Sequence, residues 1–166
     1  MNLIAKITLF IALLWGGHTT APMVNTAPLT TTVNTPVVSV VQAASTTSAT
    51  TTELFILTNY DRGTEGLPPL VENSTLMTDA QTRANFFCTA PFGHWSDGLT
   101  PWDFFKNYVY HYAGENLAQG FDNVPQMEAA FMASPEHKSN IEDTNYTDVG
   151  IGWACGITTV EFGSQW

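Results

Sequence analysis

The end of the chain constrains the fold most. Residues 147–155 alternate apolar and small side chains, a tight turn follows near Gly156-Ile157, and residues 159–163 run back, which predicts an antiparallel hairpin. Gly150 and Gly152, inside the first of these strands, mark a place where another element approaches the backbone closely. Ahead of the hairpin the apolar residues recur mostly at helical spacing. Residues 53–62 form an apolar helix stopped by Gly63 and Gly66 before Pro68-Pro69. Asn73 or Ser74 caps a second helix that carries Leu76, Met77, Ala80, Ala84 and Phe87 on one stripe. Thr100-Pro101-Trp102-Asp103 combines an N-cap hydroxyl, a proline at the first helical position and a first-turn acid, which predicts a helix reaching about Tyr110. Residues 115–118 read as a short strand, and residues 125–133 as a helix burying Met127, Ala130 and Phe131. Ser134-Pro135 then opens a further helical turn. Helices first and strands later, without βαβ alternation, give an α+β domain with helices flanking an antiparallel sheet.

The first third of the chain differs in kind. Lys6, the apolar run of residues 7–15 and Gly16-Gly17 follow the order of a secretory signal, so residues 1–21 are expected to direct export, with cleavage near residues 17–21. The run is shorter than the roughly 20 apolar residues a spanning helix needs. An uncleaved leader would instead anchor the chain, and that is the one reading in which it contacts a membrane. Residues 22–52 are rich in Thr, Ser and Pro and uncharged, a composition expected to form a flexible linker able to carry O-glycans. Residues 53–166 remain as one domain, secreted or tethered at the cell surface.

Acids outnumber bases 15 to 5, giving a net charge of −10 that repels nucleic acid and anionic lipid. Export also bears on Cys88 and Cys155. In an oxidising compartment they are candidates for a disulfide, the alternative being two separate buried thiols.

Of four histidines, His18 falls within or just beyond the leader and His111 lies between two tyrosines as a surface or packing residue. His94 follows the Gly/Pro loop Ala90-Pro91-Phe92-Gly93, and His137 sits in the first turn of a helix, where the neutral imidazole is favoured. With Glu115 they supply two imidazoles and a carboxylate, enough for a divalent cation such as Zn²⁺ with one position open. No local motif of the HExxH kind is present, so this reading depends on the fold to bring His94, Glu115 and His137 together. Taken singly each has a structural role open to it: Glu115 can cap backbone N–H groups and a histidine can simply pack. Ser96 and Ser134 lack a nucleophile-elbow pattern. The aromatic residues between His94 and Glu115 suit core, or a cleft for an apolar or sugar-like ligand.

The order of motifs resembles the CAP superfamily, the cysteine-rich secretory, antigen 5 and pathogenesis-related proteins, in its compact bacterial SCP-like form. The resemblance rests on Asn59-x-x-Arg62, Gly66-Leu67-x-x-Leu70, Leu76-x-x-x-Ala80, Arg83-Ala84, the His94 loop, Ala113-Gly114-Glu115-Asn116-Leu117-Ala118, Ser134-Pro135-x-His137-x-x-Asn140-Ile141, Tyr146-Thr147-x-Val149-Gly150-Ile151-Gly152 and Phe162-Gly163. It implies an α-β-α sandwich with a cleft holding two histidines and usually two acids. His94, Glu115 and His137 match three of these. The second acid corresponds to the region of Phe131 and Ser134, where none stands, leaving Glu136 and Glu128 as substitutes. The function implied is a non-enzymatic extracellular binding module whose partner is a lipid or a cell-envelope component. A metal-assisted hydrolase and a structural surface domain with a vestigial site are the competing readings.

Overall fold

The computed structural model describes residues 37–165, with side chains from residue 48 onward. The leader and the first part of the linker lie outside the described residues. Helix α1 spans Val37–Thr64, so the second half of the segment read as linker is helical and the 52/53 boundary marks no structural change. Thr and Ser lower helix propensity by only fractions of a kcal/mol per residue, and no Gly or Pro interrupts the segment. Its inner face is used: Thr51 is buried and donates to Ser48 O at 3.2 Å.

The end of α1 is fastened by two motif residues. Asn59 exchanges both amide bonds with Leu70, at 3.1 and 2.8 Å. Arg62, 1% exposed, donates to the carbonyls of Pro68, Ile141 and Asp143 at 2.9, 2.7 and 2.9 Å. A guanidinium that satisfies several carbonyls at once can be buried without a carboxylate partner.

Strand β1, Val71–Glu72, leads into α2, Ser74–Phe86, capped by Asn73 through Thr75 N and Leu76 N. The helix expected from Thr100 to Tyr110 is not formed. Only a 3-10 turn, Pro101–Asp103, is present, although Asp103 accepts from Thr100 N as a cap should. The reason is the aromatic side chains, which have incompatible destinations: Phe105 and Tyr108 enter the core beside Leu76, while Phe104 turns to Arg83. Tertiary contacts override the local start signal.

Strand β2 runs Tyr112–Gln119, twice the expected length. Helices α3, Val124–Ala133, and α4, Pro135–Ile141, follow as expected, and the chain closes with β3, Asp148–Ala154, and β4, Ile157–Ser164. The strand order is β1-β3-β4-β2, antiparallel except for the two-residue parallel pairing of β1 with β3. One side of the sheet packs on α1, α3 and α4 through Leu54, Met127, Phe131, Ile141, Val149, Ile151 and Phe162. The other side receives α2. A side chain at Gly150 would overlap the backbone of Leu76 and Met77, and one at Gly152 the backbone of Ala80, so α2 is the element these glycines admit. The expected α+β sandwich is the observed architecture. Cys88 and Cys155 form a disulfide with Cα atoms 5.6 Å apart, joining the end of α2 to the β3–β4 turn.

Candidate functional site

The middle of β2 places the acid. Gly114, Asn116 and Ala118 face α3 and α4, and Glu115 faces α2, because side chains alternate along a strand. Its carboxylate meets Arg83, one residue from the α2 positions that pack on the sheet. Arg83 Nε donates to Glu115 Oε2 at 2.8 Å and Arg83 Nη2 to Oε1 at 3.3 Å. The side chains of this pair are 0% and 2% exposed. The guanidinium lies 4.5 Å from the ring centroids of both Phe87 and Phe104, so aromatic faces occupy the sides that water would otherwise solvate.

This pair positions the first histidine. Arg83 Nη2 also donates to His94 O at 2.9 Å, tying down the loop, and the His94 ring directs Nδ1 at Glu115 Oε1, 2.8 Å away. A carboxylate accepts only, so Nδ1 carries the proton and a neutral His94 is left with Nε2 as its lone-pair nitrogen. The ring itself is 45% exposed.

His137 arrives from the other side of β2. Asn116 Nδ2 donates to His137 O at 3.0 Å, and Asn140, one turn further along α4, donates to Asn116 Oδ1 at 2.8 Å and to Glu115 O at 3.2 Å. The imidazole packs edge-on against Phe131, with centroids 5.2 Å apart. Burial lowers the His137 pKa first, and the His94 charge lowers it further against an opposing effect of Glu136. Its neutral form is favoured, as its place in the chain predicts, although burial is the leading cause. His94 and His137 thus share a neighbourhood at the β2 edge, with Glu115 behind them.

Neither substitute for the second acid completes the cleft. Glu128 is 3% exposed and its neighbours are Thr58 and Asp61 of α1, within the helical layer. Burial pushes its carboxyl up to about 8, with Thr58 opposing through a side-chain hydrogen bond and Asp61 adding to the rise. Glu136 is exposed beside His137 and acts on it only through its charge.

Among the described residues no three His, Cys, Asp or Glu side chains are grouped to hold a metal ion. Glu115 explains this, since both of its oxygens are engaged by Arg83 and His94. The two imidazoles are what remains of the expected three-residue shell, with Glu115 orienting His94 in place of acting as a ligand. Among the described residues, cavities of about 190, 650 and 190 Å³ open elsewhere, lined by residues other than His94, Glu115 and His137.

Arg83 and Asn140 stand in the motifs quoted for the resemblance but had no role assigned to them, and Glu161 was not singled out. Glu161 faces Glu115 across the β2–β4 pairing, is 0% exposed, and has no hydrogen-bond partner at either oxygen. Burial and the charges of Glu115 and Asp79 push it up to about 9, with Arg83 opposing. A lone acid inside the final alternating strand was the sequence signal for it.

The geometry agrees with what the chain is similar to. Residues 55–161 match the model of the cysteine-rich secretory protein family, CAP. The chain is 34% identical over 128 residues to the uncharacterized protein YkwD of Bacillus subtilis (strain 168), covering 75% of this chain and 48% of that protein. It therefore spans about half the length of the relative it matches. An extracellular protein containing a SCP domain from Bacillus anthracis str. Ames superposes with a TM-score of 0.67 at 22% identity, covering 72% of this chain and 41% of that one. A cysteine-rich secretory protein from Staphylococcus aureus subsp. aureus Mu50 gives 0.64 at 22% identity, with 72% and 39% covered. An outer surface protein from Borrelia burgdorferi gives 0.60 at 22% identity, with 69% and 92% covered. The chain belongs to the CAP, or cysteine-rich secretory protein, family.

Proposed function

We propose that this chain is an extracellular binding module whose cleft, at the His94 and His137 imidazoles, takes a divalent cation or a ligand that a cation presents. The observation that carries the reading is the clamp on Glu115. Arg83 and His94 use the carboxylate to fix the His94 tautomer, which leaves Nε2 as a ready donor atom. His137 is held neutral beside it. Zn²⁺ bound here would act as a Lewis acid towards a ligand oxygen, and the protein's part is to hold the two imidazoles in register.

The same clamp argues against hydrolysis. A general base must reach a water or substrate proton, and Glu115, 2% exposed with both oxygens engaged, does not. Ser96 is buried with its hydroxyl bonded to Pro91 O, so it offers no nucleophile. Export is consistent with the leader pattern and with relatives described as extracellular or outer-surface proteins. A lipid or a cell-envelope component remains the ligand class under this reading.

Calorimetric titration of the protein with Zn²⁺ at neutral pH tests it. One site per chain is expected, lost in His94→Ala and in His137→Ala and weakened about 10- to 100-fold in Glu115→Gln, the range for losing a histidine's supporting carboxylate. Unchanged binding in both histidine variants would overturn the cleft. Chelator-sensitive hydrolysis of wall or peptide substrates would replace binding with catalysis.

A further inference from the structure

The stretch that fails to form a helix leaves aromatic surface in water. Phe105 and Tyr108 are buried, yet Trp102 is 46% and Tyr110 38% exposed. The two rings lie 6.1 Å apart with planes inclined by 34°. Both lean on buried Phe105, at 5.8 and 5.7 Å, so they are held in place from beneath. Exposed aromatics fixed in this way cost solubility without serving the core, which is the mark of an interaction surface.

The same stretch also lines a polar cavity. Asp103, Lys106 and Asn107 line a cavity of about 190 Å³ together with Asp79 and Thr82 of α2. Asp79 is 4% exposed; its Oδ1 accepts from Asn107 Nδ2 at 3.2 Å, while its Oδ2 has no hydrogen-bond partner.

We propose that residues 101–110 form a binding surface for a neutral glycan chain. A pyranose ring has an apolar C–H face and a rim of hydroxyls. The Trp102–Tyr110 pair offers two neighbouring ring faces, tilted by 34°, from side chains that each carry a polar tip, which suits the first. The cavity offers donors in Lys106 and Asn107 and an acceptor in Asp103, which suits hydroxyls better than an ion of either sign. The net charge of −10 disfavours an acidic polymer. An acyl chain calls for an enclosed aliphatic groove, and these rings are open and polar-tipped. The surface uses neither His94 nor His137, so it stands or falls apart from the cation site.

Calorimetry on the full chain with soluble β-linked oligomers of glucose and of N-acetylglucosamine tests the proposal. Saturable binding to at least one is expected, weakened about tenfold or more by Trp102→Ala and by Tyr110→Ala, as loss of a stacking contact requires. It should persist in His94→Ala, and in Phe121→Ala, which removes an equally exposed ring beyond the far end of β2. Circular dichroism checks each fold, and Tyr110→Ala carries the test if Trp102→Ala unfolds. No binding to either oligomer, or equal binding by both ring variants, would overturn the proposal. So would a preference for acidic glycans, or self-association abolished by Trp102→Ala, which would make the surface a contact between copies.

Discussion

The sheet has two unlike sides. Towards α1, α3 and α4 it presents Val149, Ile151, Val160 and Phe162, which meet Leu54, Met127 and Phe131 in one apolar cluster. Towards α2 it presents Glu115, Thr159 and Glu161, which meet the layer of Asp79 and Arg83. Both layers are buried, but they do different work. The apolar layer gains free energy as it leaves water. The polar layer gains little, because desolvating charges costs about what their attraction returns. Its charges instead hold the His94 loop and the Glu115 carboxylate in one arrangement.

Matched truncations would break this division of labour or sharpen it. Phe162 is 0% exposed and stacks on Tyr146 at 5.6 Å, so Phe162→Ala should cost about 3–5 kcal/mol by urea unfolding. Arg83→Ala should cost a similar ~3–5 kcal/mol, because it leaves the buried Glu115 carboxylate without its cation and with only the His94 bond. The variants should differ in the cleft. Zn²⁺ binding per folded molecule should survive Phe162→Ala and be lost with Arg83→Ala, and equal behaviour in the two would show that the layers are not separable in this way.

The covalent staple lies on the polar side. Cys88 and Cys155 are separated by 67 residues, and the crosslink joins the α2 layer to the sheet beside the small apolar cluster of Phe87, Leu117 and Ile157. Replacing both with serine should cost about 4 kcal/mol in the chain-entropy picture. Thermal unfolding of this variant beside the disulfide-bonded parent measures it, and a loss under about 1 kcal/mol would mean that α2 needs no clamp.

How much of this was legible beforehand follows the reach of the interactions. The hairpin, the caps at Asn73 and Ser134 and the glycines that admit α2 were readable because period and punctuation are local. The helical start of α1 inside the Thr-rich stretch was not, since its support comes from packing at Thr51 and Leu54. Residues 101–110 misled because a correct cap at Thr100 precedes aromatics whose partners lie across the fold. In the site, His94, Glu115 and His137 were found as residue types. The use of Glu115 was not, because Arg83 Nε reaches it across 32 positions of sequence. Glu161 and Asp79 are acids whose importance appears only once the strands are paired.

Protons separate the layers next. Glu161 in the polar layer and Glu128 among the helices both have raised carboxyls, to about 9 and about 8, against an ordinary 4.5. A raised pKa means the folded state keeps a proton that the unfolded chain releases. The stability each contributes is therefore full below pH 4.5 and is lost as pH climbs to about 9 for Glu161 and about 8 for Glu128. Glu161→Gln and Glu128→Gln should each raise Tm by a few degrees at pH 8 and by nothing at pH 4. A gain that does not vary with pH would mean that packing, not the proton, sets the difference.

The smallest effect is expected at Ser134, where the resemblance leads one to look for an acid. Ser134 is the N-cap of α4 and its side chain makes no capping hydrogen bond. Ser134→Asp should supply one and complement the helix dipole, adding about 0.5–1 kcal/mol. It should also bring a carboxylate to the apolar side of β2, within one helical turn of His137. That charge opposes the burial that now lowers the His137 pKa, so the His137 titration followed by NMR should move upward. Zn²⁺ affinity should rise with it if the new carboxylate reaches the cation. A stabilised helix with an unmoved His137 would show that Ser134 faces away from the cleft, and the pair of imidazoles would then be the whole of the site on that side of the strand.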